Sequence, residues 1–263
     1  MHAAEREKAI VDLLDQRGFI SFRDLERQVD ASPATLRRDL VRMADEGRIE
    51  RVRGGARRST AQTQAPPSFP TLLGAPFHEN IARHRLQKEA IGKAAAALCG
   101  PGEGIMIDGG STTLQMCEHL NGLNLQVLTN SLHIVSALLP QTGTRVLVPA
   151  GTVFREQNII LSAAGEDSMP RFHAPKLFMG AAAVGAQGVM QADVILVAAE
   201  RRLIERAEQL ILLVDSSKFS SSSGNVVCEL DEIDVVVTDA GVSQAHVKMM
   251  ETAGIRVVIA ATQ

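Results

Sequence analysis

The sequence predicts an α+β multidomain chain, with a small helical domain bearing a β-wing followed by a larger α/β domain. Three observations carry that expectation. Arginines crowd into one short N-terminal stretch, a Ser/Thr/Gln/Pro-rich segment without helical periodicity interrupts the chain at 59–76, and beyond residue 104 short apolar runs alternate with helical patterns. A length of 263 residues, 45% hydrophobic and 22% charged, suits a small domain joined to a medium one. The boundaries are therefore expected at 1–58, a linker at 59–76 and a second domain at 77–263.

Composition also narrows the function. No apolar run approaches the roughly 18 residues needed to span a bilayer. The opening MHAAEREKAIVDLLDQ is charged and amphipathic, without the apolar core of a signal peptide, so a cytoplasmic protein with no membrane partner is expected. Cys99, Cys117 and Cys228 stand far apart, which points to reduced, mostly buried thiols and to neither a metal site nor a cofactor. The formal net charge of −3 hides an asymmetry, because residues 31–60 carry eight arginines (Arg37, Arg38, Arg42, Arg48, Arg51, Arg53, Arg57, Arg58) against four acids. A short basic block on an acidic body is the charge footprint of a nucleic-acid-binding module.

The elements of that module follow in order. Residues 4–17 place Ile10, Leu13 and Leu14 on one helical face, and Gly18 is a stop. Phe19-Ile20 reads as a short extended pair, after which Ser21 caps a second helix running to about Val29, with Asp24 as capping-box partner. Asp30-Ala31 turns the chain. Ser32 is the N-cap of a third helix, and Pro33 takes its first position, where a missing N–H costs nothing. Leu36, Leu40 and Met43 form the buried stripe of this helix, while Thr35, Arg38 and Arg42 line the opposite face, flanked by Ala34 and Arg37. Arginines and small polar groups at the N-terminal end of the second of two turn-linked helices suit a major groove: Arg reads guanine bidentately, and Thr35 suits phosphate or a thymine methyl. Ile49 and Val52 flank charged residues ahead of Gly54-Gly55, which reads as a two-stranded wing with Arg51, Arg53, Arg57 and Arg58 along the sugar-phosphate backbone. The module is thus expected to be a winged helix-turn-helix whose partner is double-stranded operator DNA.

The run ASPATLRRDLVRMADEGRIERVRGGA resembles the N-terminal signature of the DeoR family of bacterial sugar-operon regulators, with SPATLRRDL its specific core. The resemblance implies that Ser32, Pro33, Thr35, Arg37, Arg38 and Asp39 belong to the recognition helix. A carboxylate beside phosphate would be repelled, so Asp39 is expected to orient a neighbouring arginine.

In the larger domain one long helix is expected from about Glu79 to Leu98, closed by Gly100-Pro101-Gly102. Strands are expected at Ile105–Ile107, Gln126–Leu128, Val146–Val148, Lys176–Met179, Leu210–Val214, Val235–Val237 and Val257–Ile259, and helices at Thr113–Leu120, Leu132–Leu139 and Asp193–Arg206. That alternation predicts a largely parallel sheet, whose ligands bind beyond the carboxyl ends of its strands. After the first strand comes Asp108-Gly109-Gly110-Ser111-Thr112-Thr113, with two glycines, three hydroxyls and the start of a helix to meet an anion. Thr129-Asn130-Ser131 follows the second strand, and Ala150-Gly151-Thr152, with Arg155 nearby, follows the third. Lys218 lies in Asp215-Ser216-Ser217-Lys218-Phe219 after LILLV, and Ser220–Ser223 reads as a mobile loop.

The blocks IDGGSTT, VLTNS, PAGTVFRE and VDSSKF resemble, in order, the DeoR sensor domain, so the likeness runs through nearly the whole chain. It implies a fold similar to ribose-5-phosphate isomerase and CoA transferases. It also implies a phosphorylated sugar or polyol effector that releases a repressor from DNA, with Asp108, Gly110, Ser111, Thr112, Thr113, Thr129, Asn130, Gly151 and Lys218 in the pocket. Asp108 would hold sugar hydroxyls while the Ser/Thr loop holds phosphate. Ala150-Gly151 departs from the two glycines of many members, and DVILVAAERRLIER resembles the ascorbate-regulator branch more than the glycerol-3-phosphate type. The expectation is a homo-oligomeric repressor, dimer or tetramer, of a sugar or polyol operon. Two alternatives remain. One is a sugar-phosphate isomerase-like enzyme built on Asp108 and Lys218, for which no Gly-rich strand-end loop offers a second carboxylate. The other is a DNA-binding protein whose larger domain only oligomerises.

Overall fold

A computed structural model describes residues 2–17, 19–45, 49–52, 55–58, 77–161 and 169–261. The chain divides into two compact units, Met1–Pro70 and Thr71–Gln263. The segment expected to link them lies outside the described residues.

The N-terminal unit runs α1 (Ala3–Arg17), β1 (Phe19–Ser21), α2 (Phe22–Gln28), α3 (Pro33–Asp45), β2 (Ile49–Val52) and β3 (Gly55–Arg58). Ser21 caps α2 by accepting from Asp24 N–H, and Ser32 Oγ accepts from Thr35 N–H at 3.2 Å at the start of α3. Both caps satisfy donors that a helix end leaves without partners. Leu36, Leu40 and Met43 turn inward onto Ile10, Leu14, Ile20, Leu25 and Ile49, forming a separate small core. The expected two-stranded wing gains a third strand: β1 pairs antiparallel with β3, and β3 with β2. Phe19–Ser21, read as a mere extended pair, supplies it by pairing Ile20 with Ala56, which puts both in the core.

The second unit opens with α4 (Phe77–Ala82) and α5 (Arg85–Ala96), where one long helix is expected. The break falls at His84, whose φ of 52° is left-handed. What holds α4 out of line is its own anchoring: Phe77 is buried, stacks on His133 with centroids 4.2 Å apart, and donates its N–H to Glu156 O. There follow β4 (Gly104–Ile107), β5 (Gln126–Leu128), α6 (Leu132–Leu138), β6 (Arg145–Leu147), β7 (Thr152–Phe154), β8 (Ile159–Leu161) and β9 (Ala174–Met179). The chain then runs through β10 (Ala183–Gly185), β11 (Gly188–Gln191), α7 (Val194–Ile204), β12 (Ala207–Leu213), β13 (Asn225–Cys228), β14 (Val235–Asp239), α8 (Gln244–Thr252) and β15 (Arg256–Ala260). Thr113–His119, expected as an α-helix, is a 3₁₀ helix. The Ser220–Ser223 loop is tied at both ends, since Ser221 Oγ donates to Ser217 O and Ser223 Oγ to Gln191 O.

A seven-stranded sheet in the order β15-β14-β12-β9-β4-β5-β6, with every pairing parallel, organises this unit. Side chains alternate across it into two cores. Ile105, Ile107, Phe178, Ile211, Leu213, Val235 and Val237 meet α5 on one face, while Met106, Leu177, Met179, Leu212 and Val236 meet Leu203 and Met250 on the other. Burial on both faces explains why these strands read as continuous apolar runs. The order reverses once, because the chain moves outward from β4 through β5 to β6, then returns to β9 on the other side of β4. Loops leaving β4 and β9 therefore diverge at one point on the carboxyl edge, where open α/β sheets hold ligands. A two-stranded hairpin, β7–β8, and a small antiparallel sheet, β10-β11-β13, stand apart from the main sheet.

Candidate functional site

On the N-terminal unit the solvent face of α3 presents Ala34, Arg37, Arg38 and Arg42, with Ser32 and Pro33 exposed at its start and Thr35 half-buried. These arginines are not equivalent. Arg37 stacks its guanidinium over Phe22, 5.1 Å from the ring centroid, and Arg38 reaches only Ala34 O, at 3.4 Å. Arg42 is held by Asp39 at 3.2 Å and by Glu7. Asp39 is 5% exposed and also binds Arg6 Nε at 2.8 Å, so it orients α3 through arginines of its own chain. Arg51 is exposed on β2, Arg57 and Arg58 are described as strand residues only, and Arg53 lies outside the described residues. Arg38 is thus the α3 cation least engaged within the protein.

In the second unit a cavity of about 260 Å³ opens at the switch point, lined by the loops after β4 (Asp108–Thr112) and β9 (Gly180–Ala182). Phe77 and Asn80 close it from α4, Arg83 from the turn after α4, Gln157 and Ile159 from the hairpin, Gln191 and Ala192 from the end of β11, Leu196 and Glu200 from α7, and Lys218 from the turn after β12. Close approach dictates Gly109, where a Cβ would stand 2.6 Å from Ile159 Cγ2. Asp108, Gly109, Gly110, Ser111, Thr112 and Lys218 all line the cavity. The other sequence candidates do not. Thr113 is fully buried, with Oγ1 donating to Asp108 O and Gly110 O, so it braces the loop. Thr129, Asn130 and Ser131 are buried beside it, with Ser131 capping α6, and Asn130 Oδ1 stands 3.3 Å from where a Gly109 Cβ would lie. Gly151 and Arg155 are exposed, on and near the hairpin.

Two of the strongest features carry no signal in the strand-end loops. Lys88 on α5 is 3% exposed, and its Nζ donates to Ser111 Oγ at 3.0 Å and to Asn80 O. Burial drives this ammonium down to about 8; Asp215 opposes, while Lys218 and Arg83 push the same way as burial. Three cations therefore converge around Ser111. Arg83 has one exposed partner, Glu79, at 3.8 Å. The second feature is Glu200, a carboxylate that sequence reading of the loops missed because a helix supplies it. It is 3% exposed, and burial first and then Asp108 raise it well above its ordinary range. Asp108 itself is pushed up to about 6 by burial, against the N–H groups of Gly109 and Gly180. Among the described residues no His/Cys/Asp/Glu group could hold a metal ion. The free Cys99, Cys117 and Cys228 are each raised to about 12 by burial, which suppresses thiolate chemistry.

The expected anchoring of an anion by a helix dipole after Ser111 is weakened, because Thr113–His119 is a short 3₁₀ segment. The positive charge beside Ser111 comes instead from the side chains of Lys88, Arg83 and Lys218.

A winged helix-turn-helix unit joined to a parallel-sheet unit with a charged cavity at its switch point has the make-up of a transcription regulator, one part gripping DNA and the other sensing. Residues 6–62 match the DeoR-like helix-turn-helix domain and residues 83–240 the DeoR C-terminal sensor domain. The chain belongs to the DeoR family and is a DNA-binding transcriptional regulator. It is 29% identical over 258 residues to the HTH-type transcriptional regulator UlaR of Shigella dysenteriae serotype 1, covering 98% of this chain and 99% of that protein. With UlaR of Salmonella arizonae it shares 30% over the same length and coverage. Among solved structures, ribose 5-phosphate isomerase A of Methanocaldococcus jannaschii superposes with a TM-score of 0.38 at 16% identity, covering 52% of this chain and 55% of that one. Among the described residues no helix is long and apolar enough to cross a membrane.

Proposed function

We propose that the protein is a cytoplasmic, homo-oligomeric repressor of a sugar or polyol operon, released from its operator by a phosphorylated sugar or polyol. In this reading residues 1–58 bind DNA, 59–76 link, and 77–263 bind effector and oligomerise. One observation carries the effector assignment. Lys88, Arg83 and Lys218 converge on the Ser111 loop, and the first of them is a buried ammonium held short of full compensation. Cations crowded against their own repulsion in and just behind the wall of a small cavity await an anion. The phosphate then sits on Ser111 and Thr112, beside the close-packed Gly109-Gly110 turn and among these cations, and Asp108 takes ligand hydroxyls. Thr113, Thr129, Asn130 and Ser131 support the loop from behind. On DNA, Arg38 reads a base edge, Ser32, Pro33, Ala34, Thr35, Arg37 and Arg42 frame the helix on the duplex, and Arg51, Arg53, Arg57 and Arg58 follow the backbone.

Phe77, Asn80 and Arg83 give the cavity a wall that follows directly on the 59–76 segment in the chain. An effector gripping that wall acts where the chain enters the sensor unit, and ligand and operator must weaken each other's binding by the same factor. A thermal-shift screen against sugar and polyol phosphates, with the unphosphorylated parents alongside, tests the proposal. A selective phosphate-dependent rise supports it, at about 2.7 kcal/mol for ligand at 100 times Kd, and a blank across the panel leaves oligomerisation as the unit's role.

A second reading gains one observation. Asp108 and Glu200 are paired buried carboxylates in the cavity, as an isomerase requires for proton transfer. Turnover of pentose or hexose phosphates by the purified protein would establish that reading, and its absence removes it.

A further inference from the structure

The charged groups around the cavity sort into two neighbourhoods. Lys88 feels Asp215, Lys218 and Arg83, whereas Glu200 feels Asp108. Among the described residues neither Asp108 nor Glu200 has an ion-pair partner, so the acidic neighbourhood is not neutralised by the basic one.

Glu200 is placed with some care. Asp193 caps α7 by accepting from Ile195 N–H at 2.8 Å, and Glu200 follows seven residues, or two turns, later, on the same side as the cap. Gln191, at the end of β11, donates to Glu200 Oε1 at 2.6 Å and fixes the carboxyl plane. Oε2 is buried and has no hydrogen-bond partner, although Glu200 and Gln191 both line the cavity. A buried polar atom left unpaired is expensive, and helix capping needs no carboxylate at this position, so the arrangement calls for a partner from within the cavity, and a hydroxyl, which both donates and accepts, suits either protonation state.

We infer that Glu200, oriented by Gln191 and joined by Asp108, forms a hydroxyl-binding pole of the cavity, separate from the cationic pole, and is the residue that selects among phosphate esters by the hydroxyls they carry. This inference rests on the effector-site reading above and adds what lies beyond the phosphate. Alkyl phosphates fill the cationic pole and leave Glu200 Oε2 unpaired, and sites built to bond a hydroxyl discriminate strongly against analogues that lack it. Glu200 is therefore a specificity determinant, distinct from the groups that hold the phosphate.

The experiment is calorimetric titration of the full-length protein, wild type and Glu200→Ala. The probes are inorganic phosphate, n-butyl phosphate and a panel of four- to six-carbon sugar and polyol phosphates. In wild type the best polyhydroxylated ester is expected to exceed n-butyl phosphate by at least about tenfold, and Glu200→Ala to collapse the ratio of its affinity to that of inorganic phosphate by a similar factor. Glu200→Gln keeps size and the carbonyl acceptor and should retain part of the ratio, which separates lost recognition from lost folding. A wild type in which no hydroxylated ester beats n-butyl phosphate, or a ratio unmoved in Glu200→Ala, overturns the inference. Failure of wild type to bind any phosphate at all sinks the effector-site reading instead.

Discussion

Arg37, Arg38 and Arg51 of the N-terminal unit stand in solvent, whereas Lys88, Asp108 and Glu200 of the sensor unit are each at least nine-tenths buried. The first group sits on a single helix and its neighbouring strand, within residues 37–51. In the second, Asp108 from the loop after β4 and Glu200 from α7 line the cavity at the sheet's reversal, and Lys88 of α5 touches its wall at Ser111 and Asn80. Exposed cations keep their hydration and act through screened, roughly additive contacts. Buried ones are desolvated beforehand, so each contact with a ligand is worth more and each unpaired state strains the protein. The DNA surface should therefore respond to mutation in small, salt-dependent steps, and the cavity in large, all-or-none ones.

The largest expected effect follows from Lys88. Lys88→Met should weaken phosphate-ester binding by about 100-fold, since it removes a buried charged donor, while raising the melting temperature of the ligand-free protein by relieving desolvation. Parallel calorimetry and thermal melts check both signs. Loss of stability together with binding would mark Lys88 as structural and erase the contrast between the units.

Next in size is Arg38→Ala, expected to reduce operator affinity by about 1–3 kcal/mol and to relax preference at one base pair. Selection from randomised operators reads that relaxation directly, and an unchanged preference would show that Arg38 touches only phosphate.

The same lysine sets a pH dependence. Its folded pKa of about 8 lies below the ordinary lysine value, so between about 8 and 10 the unfolded chain binds more protons and ligand-free stability rises with pH. Anion affinity should do the opposite and fall as pH passes through about 8, because Lys88 surrenders its charge. Asp215, Lys218 and Arg83 face the same ammonium, and Lys88→Met should flatten both profiles. Stability and affinity moving together across this range would contradict the assignment.

The smallest effect is Arg53→Ala, which should weaken binding to all DNA sequences alike and lower the salt slope by about one. A slope equal to wild type would take Arg53 off the backbone.

Much of this architecture was legible in the sequence. All seven strands of the main sheet were visible as apolar runs, most clearly the inner ones, where cover on both faces leaves stretches such as LILLV wholly apolar. The recognition helix was visible because Ser32, Pro33 and the Leu36/Leu40/Met43 stripe are local signals. The hairpin and the small sheet were missed, since strands of three or four residues such as Ala183–Gly185 contain too few alternations to register. Lys88 and Glu200 were missed for a different reason. Each sits mid-helix, where a charge is normally read as solvated, yet a sharper signal was present. Lys88 shares its face with Ile91, Gly92 and Ala95, and Glu200 lies on the stripe of Leu196 and Leu203. A charge on an apolar helical stripe is either paired or poised for a ligand. The left-handed His84 that splits α4 from α5 had no local signal, because Phe77's stacking on His133 is a long-range contact.

An effector that releases the repressor must couple the cavity to the DNA surface. With neither Trp nor Tyr in the chain, fluorescence must come from the DNA. The most direct measurement is the anisotropy of a labelled operator fragment titrated with full-length protein, with and without a saturating phosphate ester from the thermal-shift screen. The ester is expected to weaken operator binding, and operator to weaken ester binding by the same factor. Operator affinity unchanged at saturating ester would contradict it.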